Sequence, residues 1–269
     1  MIEIVRINDD VTGIKTATEQ DGKAIMFVYA YLVRDALLDA GCANAIEEMR
    51  SYTETVSINS VYVTHSHEDH VGGCSIFDGK VPIYANQLTQ KTLRSPPQYG
   101  AFFNYVWGQP EPISSLTNMP NTFSVGDLSL EVVPIPGHTM EMVGFYEPEK
   151  KWFFSADAVP LPSKKKIAMP DENVPMMVAT MKKILDYDIE ILFDSHRGPI
   201  EKPRDHIQKR IDFINEMQEQ AQELHEEGKT VEEIQKALEL EGPWYLELTK
   251  DRFGIDFFIK SLLFDKPEI

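Results

Sequence analysis

Residues 64–73, which read THSHEDHVGG, constrain this chain more than any other stretch. Three histidines and an aspartate lie within six positions. His65 and His67 alternate, so an extended backbone would point both imidazoles to the same side. The preceding residues 60–64 are β-branched or aromatic for the most part, as in a short buried strand, and the two closing glycines predict a turn. A strand that ends in such nitrogen and oxygen donors predicts a metal site.

A predicted strand that ends in a donor side chain recurs three times later in the chain. His138 follows the alternating residues 123–134 through a Pro-Gly turn, and Asp157 and His196 each follow an apolar run. Five of the seven histidines belong to this set. Donors at strand ends can converge in space although they are far apart in the chain. Nitrogen and oxygen donors without a thiolate fit zinc, and also iron or manganese.

The His-x-His-x-Asp-His pattern and the order of the later donors resemble the metallo-β-lactamase-fold hydrolases, in particular their glyoxalase II-like and lactonase-like branch. The resemblance implies an α/β (α+β) fold, a four-layer αββα sandwich of two mixed β-sheets flanked by helices. It also implies two parts of the chain. We expect a metallo-β-lactamase-like domain at 1–201 and a C-terminal helical extension at 202–269 that packs near the active-site cleft.

The resemblance also implies a set of metal ligands. By motif position they are His65, His67, Asp69, His70, His138, Asp157 and His196. Seven ligands exceed the needs of one tetrahedral ion and suit two divalent ions, most simply Zn²⁺, with iron or manganese as alternatives. His65, His67 and His138 would hold one ion. Asp69, His70 and His196 would hold the other, and Asp157 would bridge both. The expected catalytic residue is Asp69, which would also accept a hydrogen bond from a metal-bridging hydroxide.

The expected activity is hydrolysis of a thioester, ester or lactone of a small molecule. Two cations lower the pKa of a bridging water, so hydroxide is present near neutral pH and can attack a carbonyl. Three alternatives stay open: a mononuclear iron oxidoreductase like the persulfide dioxygenases, a phosphodiesterase on the same scaffold, and a non-catalytic protein stabilised by metal. The iron enzymes bind their ion through only two histidines and the aspartate.

Three positions qualify the resemblance. Pro160 stands where quorum-quenching lactonases carry a tyrosine three residues after the bridging aspartate, so that substrate-polarising hydroxyl is missing. Asp39 matches a family aspartate that holds a ligand histidine from beneath the metals, although a simple turn residue is the alternative. The lysines at 164–166 lie in a region where glyoxalase II recognises glutathione, and a solvated loop is the alternative there.

Composition and charge limit the partners. The formal net charge of −17 argues against a nucleic-acid or anionic-membrane partner and leaves a small-molecule substrate. Cys42 and Cys74 form no CxxC pair, and Cys74 reads as a small buried residue rather than a redox-sensitive thiol. There is no signal-peptide pattern and no apolar run of about 18 residues, so we expect a cytoplasmic enzyme.

Residues 86–122 form an insertion rich in proline and aromatic side chains. We expect it to be irregular, and it can serve either as a lid over the site or as a plug of the core. The same aromatic insertion, together with the apolar tail at 244–264, could serve a homodimer.

Helix signals occur at several points. Asn44 is the expected N-cap of a first helix. Apolar residues at three-to-four spacing predict helices over 175–186 and 207–224, and a further helix is expected after Thr230. The two remaining histidines, His206 and His225, are expected to be solvated on the C-terminal helix.

Overall fold

The computed structural model describes residues 1–161, 166–249 and 252–266, so Lys164 and Lys165 of the lysine run lie outside the described residues. The chain divides into two compact units. A sheet unit comprises Met1–Pro134, Val143–Ala156 and Phe193–Ile200, and a helical unit comprises Ile135–Met142, Asp157–Leu192 and Glu201–Ile269. The predicted boundary between residues 201 and 202 stays a prediction, because compactness does not show which segment folds alone.

The first sheet has seven strands within the described part of the chain. In spatial order they are β1 (Ile2–Arg6), β2 (Val11–Gln20), β3 (Lys23–Val33), β4 (Ala36–Leu38), β5 (Ser60–Tyr62), β6 (Ile83–Ala85) and β7 (Leu116–Asn118). Pairing is antiparallel from β1 to β4 and parallel from β4 to β7. Because β4 and β5 run in the same direction, the residues that follow them meet at one edge of the sheet. Those residues are Asp39 and the motif that begins at Thr64.

The second sheet has six strands among the described residues. They are β8 (Thr122–Val125), β9 (Leu128–Pro134), β10 (Val143–Glu147), β11 (Trp152–Ala156), β12 (Ile191–Asp194) and β13 (Gly198–Glu201), in the reverse spatial order β13 to β8. The strands from β8 to β11 pair antiparallel, with Phe145 opposite Phe154. The predicted sandwich of two mixed sheets with helices is confirmed.

Aromatic side chains fill the space between the two sheets inside the sheet unit. Tyr31 of β3 meets Phe154 and Phe193 edge to face, with ring centroids 5.6 and 5.3 Å away. Tyr62 of β5 stacks on Phe123 of β8 with centroids 3.7 Å apart. Such pairs contribute about 0.5–1.5 kcal/mol each beyond the area that they bury. They fix the sheets face to face and so fix the strand ends that carry the motif.

Helices of the sheet unit cover the other face of the first sheet. They are α1 (Ile46–Thr53), α2 (Glu68–Val71), α3 (Gln87–Arg94) and α4 (Ala101–Val106). Met49 of α1 and Leu93 of α3 belong to one apolar cluster with Leu37, Val61 and Ile83 of the strands. These strand residues are fully buried, because a parallel strand in this position is covered on both faces.

The predicted cap of α1 is wrong. The helix begins at Ile46, and Asn44 lies instead in a short 3₁₀ turn at Ala43–Ala45. The side-chain nitrogen Nδ2 of Asn44 donates to the Thr18 hydroxyl at 2.7 Å and to the Tyr105 carbonyl at 2.8 Å. These partners are distant in the chain, so a local cap pattern could not show that the side chain was already engaged.

The predicted irregular insertion is also partly wrong, since it contains α3, α4 and β7. Asn86 caps α3 by accepting a hydrogen bond from the Thr89 amide, and the helices are too short to show clear periodicity. The segment is hydrogen-bonded to earlier residues of the sheet unit. The Thr18 hydroxyl donates to the Val106 carbonyl, and the backbone amide of Asn44 donates to the Trp107 carbonyl at 3.0 Å. It is a packed part of the unit, and its role as a lid or as a plug stays a prediction.

The helical unit contains the remaining described helices, α5 (Val174–Leu185), α6 (Arg204–Glu226), α7 (Val231–Ala237) and α8 (Ile255–Phe264). The helices predicted over 175–186 and 207–224 are confirmed as α5 and α6. Thr230 caps α7 in a capping box with Glu233. His225 is exposed as expected, but His206 is half-buried, because the packed side of α6 extends beyond its apolar stripe. None of the described helices is long and apolar enough to cross a membrane.

Candidate metal centre

The first two motif histidines extend from the end of β5. The chain stays extended to His67, which is the N-cap residue of α2. His65 is fully buried and His67 is half-buried. The predicted alternation brings the two rings together, with His65 Nε2 and His67 Nδ1 3.1 Å apart. Two nitrogens bound to one tetrahedral zinc ion at 2.0–2.1 Å would lie about 3.3 Å apart, so this pair fits a shared cation.

Asp39 holds His70, the last histidine of the motif. Asp39 Oδ2 lies 2.8 Å from His70 Nδ1, and the same carboxylate accepts from the amide and the hydroxyl of Thr64 at 2.8 Å each. A carboxylate beside Nδ1 favours the tautomer with its proton there, which leaves the Nε2 lone pair for a metal. The structure therefore supports the first interpretation of Asp39, in which it positions a ligand histidine.

His196 is presented by the turn that follows β12. The Asp194 carboxylate accepts from the amides of His196 and Arg197 at 2.8 and 2.9 Å and so shapes this turn. His196 Nδ1 lies 2.9 Å from the Phe27 carbonyl oxygen, and its Nε2 lies 3.5 Å from Asp69 Oδ2. The indole of Trp107 lies beside it, with ring centroids 6.3 Å apart.

The sheet unit thus brings together most of the predicted ligands. Asp69, His70 and His196 each offer one ligand atom, and these atoms lie within 4.8 Å of one another. His65 and His67 form the second group of this unit. Buried carboxylate and imidazole groups at this density are the donor set that divalent zinc, iron or manganese ions take in proteins.

The helical unit contains the two other predicted ligands, side by side. His138 Nε2 lies 3.5 Å from Asp157 Oδ2, and both side chains are less than a tenth exposed. His138 Nδ1 lies 2.6 Å from Glu172 Oε1. Glu172 is a residue that the sequence reasoning missed. It lies 34 positions after the histidine, in no motif, and no local signal pointed to it.

One feature is common to three of the predicted ligand histidines. In His70, His138 and His196 the Nδ1 atom faces an oxygen acceptor, which is Asp39, Glu172 and a backbone carbonyl respectively. Metal-binding histidines in proteins nearly always have such a partner, since it orients the ring and sets the tautomer. The arrangement therefore fits histidines that bind through Nε2.

The cysteines supply no ligand to this centre. Cys42 and Cys74 are both buried and unpaired with each other. Burial raises the pKa of the Cys74 thiol far above its usual range, and it raises the pKa of the Cys42 thiol as well. The interpretation of Cys74 as a small buried residue is confirmed.

We expect neither thiol to react with a disulfide reagent such as Ellman's reagent at pH 8 while the protein is folded. The thiolate is the reactive species, and burial disfavours it. Absorbance at 412 nm should rise by two equivalents only after denaturant is added. Prompt release of one equivalent from the folded protein would contradict the assignment.

Comparison with known proteins agrees with this geometry. Residues 25–209 match the family model of the metallo-beta-lactamase superfamily. An uncharacterized protein of Aquifex aeolicus is 25% identical over 174 residues, which are 63% of this chain and 75% of that protein. A hydroxyacylglutathione hydrolase of Psychromonas ingrahamii is 27% identical over 139 residues, 47% of this chain and 46% of the relative. The chain thus spans less than half the length of this hydrolase.

Solved structures share the fold at low identity. A metallo-beta-lactamase family protein from Thermus thermophilus superposes with a TM-score of 0.68 and 16% identity, over 96% of this chain and 92% of that one. At this identity the likeness shows the fold alone. Proteins of this fold bind divalent metal ions, and the histidine and aspartate groups described above fit such ions. Because the family model matches more than half of its residues, this chain belongs to the metallo-beta-lactamase superfamily.

Proposed function

We propose that the chain is a hydrolase that works with two divalent metal ions, zinc being the first candidate and iron or manganese the alternatives. The proposed ligands are those carried over by motif position: His65, His67, Asp69, His70, His138, Asp157 and His196. The observation that carries the proposal is the surroundings of His70, His138 and His196, whose Nδ1 atoms each face an oxygen, which leaves their Nε2 atoms for metal.

The reaction that we propose is attack of water on the carbonyl of a thioester, ester or lactone. When bound, two divalent ions would supply Lewis acidity and would lower the pKa of a bound water. Asp69 is buried, and its Oδ2 lies near both His70 and His196. In that position it accepts a hydrogen bond from the attacking water and directs a lone pair of that water at the substrate. No serine or cysteine nucleophile is needed, in keeping with the buried thiols.

The substrate class is supported by the hydroxyacylglutathione hydrolases among the relatives, since hydroxyacyl glutathione is a thioester. Those matches cover less than half of the relatives, so the class stays a proposal. We also propose a small-molecule substrate in the cytoplasm, with no nucleic-acid or membrane partner. A homodimer is a further prediction that the mass in solution would test.

The proposal is tested by metal content and a substrate panel. The purified chain is stripped with a chelator, reloaded with zinc, and assayed on thioesters, lactones and phosphodiesters. We expect about two metal equivalents per chain by mass spectrometry and turnover of a thioester or lactone that the stripped protein lacks. Much less than two equivalents would contradict the dinuclear centre. Oxygen uptake with glutathione persulfide by an iron-loaded sample would favour the dioxygenase alternative.

Asp39→Asn is expected to weaken metal binding by about 10- to 100-fold. The amide keeps the shape but must place a nitrogen where one oxygen was. If its oxygen still accepts from the Thr64 amide, its nitrogen faces His70 Nδ1 and favours the tautomer that cannot bind through Nε2. Chelator competition on the reloaded protein measures the effect.

The matched control is Asp78→Asn. Asp78 also accepts three hydrogen bonds, from the amide and hydroxyl of Ser114 and from the amide of Ser115. It contacts no predicted ligand among these bonds. We expect metal affinity within about twofold of wild type. Equal losses of metal affinity in the two variants would mean that Asp39 affects only the stability of the fold.

A further inference from the structure

We propose that Glu172 is a positioning residue for His138, and that the C-terminal helix α8 holds Glu172 in place. The inference rests on the proposed role of His138 as a metal ligand. All the residues that carry it lie within the helical unit. It gives the C-terminal segment a defined part in building the metal centre.

The contact between Glu172 and His138 is short and largely shielded from solvent. Glu172 Oε1 lies 2.6 Å from His138 Nδ1, and both side chains are less than a tenth exposed. The other carboxylate oxygen, Oε2, accepts from the Met169 amide at 2.7 Å. Both oxygens therefore have hydrogen-bond partners, and the carboxylate cannot rotate away without losing one of these bonds. It holds the His138 ring with Nε2 on the side of Asp157.

The backbone of the same segment is fastened to the loop that carries His138. The Asn173 amide donates to the Gly137 carbonyl at 2.8 Å. Gly137 has a φ of +131°, and a Cβ there would lie 2.6 Å from the Met177 amide nitrogen of α5. Only glycine permits this close approach. His138 is thus held twice, once through its ring and once through the residue before it.

Residues in and just after helix α8 form hydrogen bonds to residues 172–174. Ser261 Oγ accepts from the Val174 amide at 2.8 Å, and its own hydrogen has the Asp265 carboxylate as an acceptor at 2.6 Å. The side-chain nitrogen Nδ2 of Asn173 donates to the Lys266 carbonyl at 3.0 Å. Ser261 is buried at 4% exposure. The end of α8 therefore fixes the turn that presents Glu172.

Hydrogen bonds therefore connect the C-terminal helix α8 to one predicted ligand, His138. A carboxylate on Nδ1 keeps the proton on that nitrogen and the lone pair on Nε2. Without it, the His138 ring can rotate and can exchange tautomers. The expected effect is confined to the ion that His138 binds, since no other predicted ligand contacts Glu172 in the bonds described.

The first test is Glu172→Gln in the full chain. Zinc is titrated into the stripped protein against a chelating dye, which resolves the two binding steps. We expect one step to weaken by about 10- to 100-fold and the other to stay within about twofold of wild type. A purely structural role for Glu172 would weaken both steps together and lower the melting temperature of the stripped protein.

Ser261→Ala tests the hydrogen bond between α8 and residues 172–174. We expect the same binding step to weaken by about 2- to 10-fold, the equivalent of one ordinary hydrogen bond. The matched control is Thr249→Val. The Thr249 hydroxyl is also buried in the helical unit and donates to a backbone carbonyl, that of Tyr245, and none of the hydrogen bonds described for it reaches residues 172–174. The control should lower stability without changing either zinc affinity.

A second readout needs no metal and separates this inference from the proposed function. Nitrogen-15 NMR of the histidine rings in the stripped protein at pH 8 should show His138 protonated at Nδ1, and Glu172→Ala should show both tautomers. If wild type bound fewer than two ions but this pattern held, the dinuclear centre would fail and the positioning would stand. Unchanged tautomers and unchanged zinc affinities in the Glu172 variants would overturn the inference.

Discussion

Asp69→Asn is expected to lower turnover of the best substrate by about 10²- to 10⁴-fold, the range typical of a lost general acid–base or water-positioning group. Asp69 is 7% exposed, and its Oδ2 lies 3.5 Å from His196 Nε2 and 3.8 Å from His70 Nε2. An amide of the same shape fills the space, but it places a donor where the attacking water needs an acceptor. It is also a weaker metal ligand than a carboxylate.

The measurement is steady-state kinetics together with metal content on the same sample. Asp9→Asn is the control, because Asp9 is exposed and pairs only with the exposed Arg6 in the ion pair described. Its turnover should match wild type, since such surface pairs contribute little. Turnover in Asp69→Asn within threefold of the control would exclude the proposed role, provided that both samples hold equal metal.

Gly72→Ala is expected to lower the free energy of unfolding by about 3 kcal/mol or more and to reduce the bound metal. A Cβ at Gly72 would lie 2.0 Å from the Ala43 amide nitrogen and 2.5 Å from the Cys42 carbonyl carbon. Both neighbours are backbone, so the strain cannot be relieved by a side-chain rotation. The end of α2 must move away, and α2 carries Asp69 and His70.

Urea unfolding of the stripped protein measures the first effect, and metal analysis after reloading measures the second. Gly100→Ala is the matched control, because nothing lies within 4 Å of a Cβ at Gly100. Gly100 is the N-cap residue of α4, where alanine is less favourable than glycine, so we expect the free energy of unfolding to fall by no more than about 1 kcal/mol. Equal stability of the two variants would mean that Gly72 does not lie as close to the backbone of Cys42 and Ala43 as described.

The same glycine shows where sequence reasoning found the right residue but only part of the reason. The glycine pair predicts a turn, and the chain does turn at these two residues. Gly72 has φ −57° and Gly73 has φ −88°, which any residue adopts. They are needed because backbone passes close by: a Cβ at Gly73 would lie 2.3 Å from the Ala40 carbonyl oxygen. A contact with residues more than 25 positions earlier cannot be read from a dipeptide.

The elements that were predicted well are those with a local cause. The alternation of His65 and His67 follows from extended backbone after a short apolar strand. Helices α5 and α6 follow from apolar residues at three-to-four spacing over more than ten residues. In contrast, α3 and α4 are only eight and six residues long, which is too short for a clear apolar periodicity. The proline and aromatic content of the segment therefore led to the prediction of an irregular structure. The end of α4 is held by Asn44 and Thr18, and α3 packs through Leu93 in the core of the sheet unit.

Sequence alone picked out the candidate metal ligands, since donor chemistry and the endings of strands are local properties of the chain. Tertiary structure supplied the oxygen that faces Nδ1 in three of these imidazoles, which leaves their Nε2 for a cation. The oxygens that face Nδ1 of His70, His138 and His196 come from residues 31, 34 and 169 positions away. Hydrogen bonds across such separations exist only after the backbone has folded, because the same acceptors are dispersed in the unfolded chain.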